Sequence, residues 1–239
     1  MKLKEIEMDW PYIMNEAFVQ QVQRENGLVY EDAVRQDYEV NWREKRREFQ
    51  LMTRCMTAMI ERIMLPINTN KCWKILIECV DGCTDNTYKN LLGVYVIQVV
   101  FDFETFFTAS DYEKKRIVID TVVAGINRLS AQIPLDLTNI LDACAKVKDS
   151  EYLNEWLWKK NLKIKDKSIR INIKHDVKAV EIYMIIMDGN NQILKKALLV
   201  STVPDERVYG KYLGRLEIIS ENEVALITKD NERFIQMYN

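Results

Sequence analysis

Apolar residues recur with the period of a helix in the first third of this chain and with the period of a strand in its last third. From Tyr30 to Leu65 there is no Gly or Pro, and Pro66 closes the run. Trp42, Phe49, Met56 and Ile63 stand seven residues apart, Tyr38, Met52 and Met59 fill intermediate positions, and Lys45 is the one polar intruder. This spacing predicts one long N-terminal helix, about 50 Å from end to end at 1.5 Å per residue. A helix lying along the protein's own core fits the stripe better than a dimerising coiled coil or a methionine-rich docking face, because the heptads are few and one position is a lysine. REKRRE (Arg43–Glu48) reads as the solvated back of that helix, and the interleaved Glu44 and Glu48 argue against a nucleic-acid patch.

Around this element the pattern alternates. Lys2–Met8 predicts a short strand, and Ala17–Glu25 a helix that Gly27 stops. Trp73–Val80 and Val94–Phe101 are β-branched and aromatic runs separated by the turn-rich DGCTDNTYKN, which predicts a hairpin. The second run is apolar on both faces and predicts an interior strand. Ser110 and Glu113 form a capping box opening a helix with Ile119, Val122, Ile126 and Leu129 on one face, ended by Pro134. Asp136 can cap a second helix through Cys144, and Tyr152–Trp158 reads as a further turn or two, so Ser110–Trp158 is a helical insertion between β regions.

Beyond it, Ile169, Ile171 and Ile173 alternate with Arg170, Asn172 and Lys174, the signature of a strand with one wet face. Val180–Met187, Gln192–Val200, Leu213–Ile219, Val224–Thr228 and Phe234–Tyr238 follow, joined by short polar turns. The expected fold is α+β, a long N-terminal helix and a helical insertion packed on a mainly antiparallel sheet with a C-terminal meander of six strands. Helices and strands are segregated along the chain rather than alternating as βαβ units. One domain spanning 1–239 is expected, with a possible subdivision into a helix-rich 1–160 and a β-rich 161–239.

Composition then narrows the chemistry. The chain has one histidine, His175, in 239 residues, seven glycines, and neither GxxxxGK[ST] nor GxGxxG. Histidine-based catalysis, multi-histidine metal sites and glycine-rich phosphate loops are disfavoured, so binding is the expected role and no cofactor is expected. His175, at a predicted strand end, is expected to be structural. A net charge of −2 argues against general affinity for nucleic acid. With no signal peptide or long apolar span, and with five cysteines, an odd number, the chain is expected to be cytoplasmic and not membrane-bound. Cys72, Cys79 and Cys83 lie close together but lack paired metal-ligand spacing, so no metal site is expected there.

Two clusters stand out. Asp102 and Glu104 in FDFETFF, with Asp81 and Asp85 in the preceding turn, could form a carboxylate site for metal or acid–base chemistry if the strand continues through them. Lys159–Lys174 carries seven basic residues and one acid, immediately after Trp156 and Trp158. Aromatic anchors beside steering cations suit a protein partner or single-stranded nucleic acid. Lysines guarding an edge strand would give the same pattern. The expected partner site is Trp156, Trp158, Lys159, Lys160, Lys163 and Lys165. The first forty residues are acidic, nine acids against four bases, so the surface is expected to be polarised.

From Phe101 onward the segments FDFETFF, SDYEKKRIVIDTVVAGI, NEWLWKK and YLGRLEIISENEVALITKDNE resemble small proteins of Gram-positive bacteria, some of which look like the immunity partners of polymorphic toxins. That resemblance implies a protein that binds and occludes a cognate toxin domain, and it carries over no functional residues. A carboxylate- or metal-dependent enzyme is the first alternative, and a nucleic-acid-binding protein using 156–174 the second.

Overall fold

The computed structural model describes residues 1–238, which fall into two compact units, Met1–Tyr152 and Leu153 onward. The fold is α+β. The unit boundary lies N-terminal to the one suggested by composition, because the lysine-rich stretch after Tyr152 belongs to a strand.

In the first unit, β1 (Glu5–Asp9), β2 (Lys74–Val80), β3 (Lys89–Leu91) and β4 (Val94–Val100) form one sheet in the order β1-β2-β4-β3. The hairpin expected between β2 and β4 is not there, since the two strands run parallel, Lys74 opposite Val94 through Val80 opposite Val100. The intervening segment supplies β3, which pairs antiparallel with β4 across Leu92-Gly93. Both turn residues have positive φ (52° and 87°), as a tight two-residue hairpin requires. The reversal is thus used up before β4 begins. A side chain at Gly93 would meet the Lys71 carbonyl at 2.6 Å. β1 is also parallel to β2, and the helices between them make a βαβ crossover, contrary to the expected segregation of helices from strands. β4 lies inside the sheet as its two-faced apolar run predicts, with Val96, Ile97 and Val99 buried.

The crossover begins with α1 (Glu16–Asn26), capped by Asn15 and ended by Gly27 at φ 65°. The run expected to be one long helix is divided into α2 (Tyr30–Asp37), a π-helical turn (Tyr38–Trp42) and α3 (Arg43–Ile63). The π turn adds a residue to the helical repeat and shifts the phase of the stripe. Phe49 and Met56 are nevertheless fully buried inside this unit, where α3 packs on β1. FDFETFF is not a strand. Asp102 caps α4 (Phe103–Thr108) by accepting from the Thr105 amide at 2.9 Å. Ser110 caps α5 (Asp111–Ser130), accepting from the Glu113 amide at 3.2 Å, while the Glu113 carboxylate engages Arg116 rather than closing the box. Gly125 brings α5 onto β2, since a Cβ there would sit 3.0 Å from Ile77. α6 (Thr138–Asp149) follows, with Asp136 accepting from the Thr138 amide at 2.9 Å.

The second unit is all antiparallel apart from a single helical turn, α7 (Glu206–Tyr209). β5 (Glu155–Ile164), β6 (Lys167–His175), β7 (Val180–Met187) and β8 (Ile193–Thr202) form one sheet in chain order. β9 (Arg215–Ile218), β10 (Glu223–Ile227) and β11 (Arg233–Met237) form a second. The two sheets share a core of Ile169, Ile171, Ile173, Ile182, Met184, Val224, Leu226 and Tyr238. Where further helical turns were expected at Tyr152–Trp158, the chain enters β5, so the meander has one strand more than its apolar runs suggest. Trp156, Trp158 and Leu162 hold β5 to the core, and Lys160 falls in the same alternation, which disguises the strand. Among the described residues no helix is long and apolar enough to cross a membrane.

Candidate functional site

Each strand of the β5–β8 sheet turns one set of side chains to the shared core and the alternate set away from it. On β6 the outward set is Ser168, Arg170, Asn172 and Lys174. Directly paired residues share a face, so the registers give the rows of this outer surface. One row runs Leu157, Asn172, Tyr183, Leu198; the next runs Asn161, Arg170, Ile185, Lys196; a third runs Lys163, Ser168, Met187, Ile193.

This face differs from the wet face that alternation predicts. Asn172 is 6% exposed, and Ile185 and Met187 are also buried, although none of the three belongs to the shared core. Leu157, Ile193 and Leu198 are exposed at 44%, 59% and 50%. Down the middle, Ser168 Oγ, Arg170 Nε and Asn172 Oδ1 are all shielded and have no hydrogen-bond partner among the described residues. The Asn172 amide nitrogen donates to the Trp156 carbonyl at 3.4 Å, and the side-chain oxygen beside it is shielded. Leaving a shielded polar group unpaired costs about 1–3 kcal/mol, and the three groups stand at alternate positions of one strand.

Charge on the face is unbalanced. Lys174 lies 3.7 Å from Glu181, and Lys196 lies 3.5 Å from Glu155, passing 4.5 Å above the Tyr183 ring. The Tyr183 hydroxyl donates to Glu181 at 2.8 Å, and that bond, with burial, raises its pKa above the usual tyrosine value. Both outward carboxylates are engaged, and among the described residues neither Lys163 nor Arg170 forms an ion pair.

The six residues singled out from sequence share β5 and its following turn but not one surface. Trp156 and Trp158 are partly buried against the shared core. Lys160 donates to the Gly214 carbonyl at 2.7 Å and lies 5.1 Å over the Trp158 ring. Lys159 is exposed within the bulge between Leu157 and Asn161, and Lys163 is on the outer face. Lys165 is exposed at the β5–β6 turn with φ 52°. Ser168, Arg170 and Asn172 lie within the stretch 156–174 without being singled out individually, and Tyr183 lies outside it. The available signal was β7, whose outward Ile185 and Met187 are too apolar for a wet neighbour strand.

The remaining candidates are placed differently. His175 is buried in the second unit, its backbone N–H donating to the Asn154 carbonyl at 2.9 Å and its ring 5.7 Å from that of Tyr209. Asp85 accepts from the Thr87 amide and hydroxyl and pairs with Lys89 at 3.5 Å; the Thr87 bonds hold its pKa below the usual value. Asp102 is likewise lowered by the Thr105 amide and hydroxyl that make it a helix cap. Among the described residues no three His, Cys, Asp or Glu side chains form a group that could hold a metal ion.

Cys55, Cys72, Cys79 and Cys144 are buried, whereas Cys83 is half-exposed, 3.3 Å from the Arg128 guanidinium. Burial raises the Cys72 and Cys79 thiols and pushes Cys144 up to about 12. Since the thiolate is the reactive form, an aromatic disulfide reagent is expected to titrate one thiol in the native chain and five after denaturation. Rapid native reaction of more than one would contradict this packing.

No protein-family model matches the chain, and no curated protein or solved structure matches it.

Proposed function

We propose that this chain is a protein-binding protein that acts by covering its partner, as an immunity protein occludes a bacterial toxin domain in the cytoplasm. The observation that carries this reading is the outer face of the β5–β8 sheet, where three shielded polar atoms without partners lie between exposed leucines. Occlusion needs no catalytic group. It needs a surface of sufficient size with a few anchors.

Strands of eight to ten residues in a four-stranded sheet present a face of about 20 by 30 Å, or ~600 Å². That is most of the roughly 800 Å² that each partner buries in a standard interface. Its make-up also fits, since Tyr and Arg near the centre with aliphatic residues around them is the usual composition of a binding hot spot. The resemblance of segments from Phe101 onward to small Gram-positive bacterial proteins, some of which look like immunity partners of toxins, points the same way. With Trp156 and Trp158 packed against the core, the contact surface proposed here lies on the opposite side of β5, with Lys163 at its margin and Lys159 and Lys165 close by.

Co-expression with the product of the adjacent gene tests the proposal. The expected result is a complex that co-elutes in size-exclusion chromatography, together with relief of the growth arrest that this product causes alone. A neighbour that is harmless and does not associate would count against the reading.

A further inference from the structure

Arg170 is an unusual residue to find in the middle of a sheet face. It is half-buried, its Nε is shielded and unbonded, and among the described residues no carboxylate pairs with it. Its row neighbours are Asn161, Ile185 and Lys196, none of which carries a carboxylate. Two positions along the strand, Asn172 offers a shielded oxygen acceptor, and two in the other direction Ser168 offers a hydroxyl. The strand therefore carries a shielded acceptor, a half-buried cation and a shielded hydroxyl in sequence, with Lys163 exposed at the positive end.

Resting on the protein-binding reading above, we infer that the partner is an acidic protein segment whose carboxylate is taken by Arg170, with Asn172 and Ser168 completing the polar centre of the contact. Arginine matches a carboxylate with two parallel N–H bonds, and its planar fork is stronger there than a lysine. A carboxylate seated on the two terminal nitrogens of the guanidinium neutralises the surplus charge. Asn172 Oδ1 takes a backbone or side-chain N–H from the same segment, and exposed Leu157 and Leu198 supply the apolar surround that excludes water. The Lys196–Glu155 pair that crosses the face is partly exposed and 3.5 Å long, so displacing it costs little.

The inference makes a demand on the free chain. Groups kept for a partner are a burden without it, so replacing them by apolar residues of similar shape should stabilise the unbound protein. Arg170→Met and Ser168→Ala, which give up no side-chain bond of the free chain, are each expected to raise the thermal midpoint by about 2–4 °C. A fall with both variants would show the row to be structural and would overturn the inference.

Binding is read with a labelled ten-residue peptide of alternating Glu and Leu, its Lys/Leu counterpart and a ten-nucleotide oligothymidylate, each added to the full chain. The acidic peptide is expected to bind and the basic one not, with affinity falling about tenfold or more in Arg170→Met. Lys146→Met, on exposed α6 of the first unit, should leave binding unchanged. Failure of the acidic peptide to bind, or an equal loss in both variants, would overturn the inference. So would Arg170-dependent binding of the oligonucleotide alone, which would assign the face to nucleic acid. If the peptide binds through Arg170 but the chain neutralises no neighbour, the occlusion reading falls and the acidic contact stands. A complex with the neighbour that Arg170→Met leaves untouched gives the reverse.

Discussion

Truncating Phe49 to Ala is expected to destabilise the chain by about 3–5 kcal/mol, the cost of removing a large aromatic side chain and leaving a cavity. Phe49 is fully buried, with its ring centroid 5.4, 5.6 and 5.5 Å from those of Phe101, Phe103 and Phe106 and 6.2 Å from Trp10. All four contacts are edge-to-face, an arrangement that adds to simple area burial. The cluster is where β1 ends, β4 gives way to α4, and α3 passes across both, so no single neighbour can move to fill the space. Denaturant titration reads the effect directly, and a loss under about 1 kcal/mol would mean that the stripe on α3 is not the core of this unit.

A loss of similar size is expected from Arg46→Ala, for an electrostatic reason. Asp9 is almost wholly buried at the end of β1, and Arg46 grips both its oxygens from α3 at 2.8 and 2.6 Å, with Gln50 adding a third bond at 2.9 Å. The same contact holds the guanidinium pKa above its ordinary value, against the opposing effect of burial. Removing one partner of a buried pair leaves an uncompensated charge and costs about 3–5 kcal/mol, whereas replacing both by apolar residues is often close to neutral. Arg46→Ala should therefore be strongly destabilised at neutral pH, and Asp9→Leu with Arg46→Met should recover most of the loss. Equal stability of the single and double variants would show that the ion pair is not what holds α3 to β1.

The Asp9–Arg46 pair also marks the limit of what the sequence discloses. REKRRE reads as a solvated helix face, and Arg43 does pair with Glu39 at the surface. Arg46 turns inward to an acid 37 positions away, and no local periodicity encodes that. Elements defined by their own ends were legible, among them the Gly27 stop, the Ser110 cap and the Ile169–Ile173 alternation. The order of β2 and β4 was not, because it depends on a short polar strand whose Leu92-Gly93 turn is hidden in a loop-like stretch. β5 was obscured by its lysines, although its even-numbered Trp156, Trp158, Leu162 and Ile164 do alternate.

The candidate surface was half visible for a related reason. Sequence places the aromatic and basic residues of β5 together, but a strand separates neighbours onto opposite faces, and a bulge after Leu157 alters its register with β6. Only the pairing of β6 with β7 shows that Arg170 and Asn172 stand beside Ile185 and Tyr183 rather than facing water on all sides.

The most direct test of that surface is a methyl-resolved NMR titration of the full chain with the product of the adjacent gene. If the outer face of β5–β8 is the binding surface, the methyl signals of Leu157, Ile185, Met187, Ile193 and Leu198 shift on complex formation, while those of Ile75, Ile77 and Ile97 in the first unit stay in place. Shifts confined to the first unit, or to Leu216, Val224 and Leu226 of the other sheet, would contradict the account.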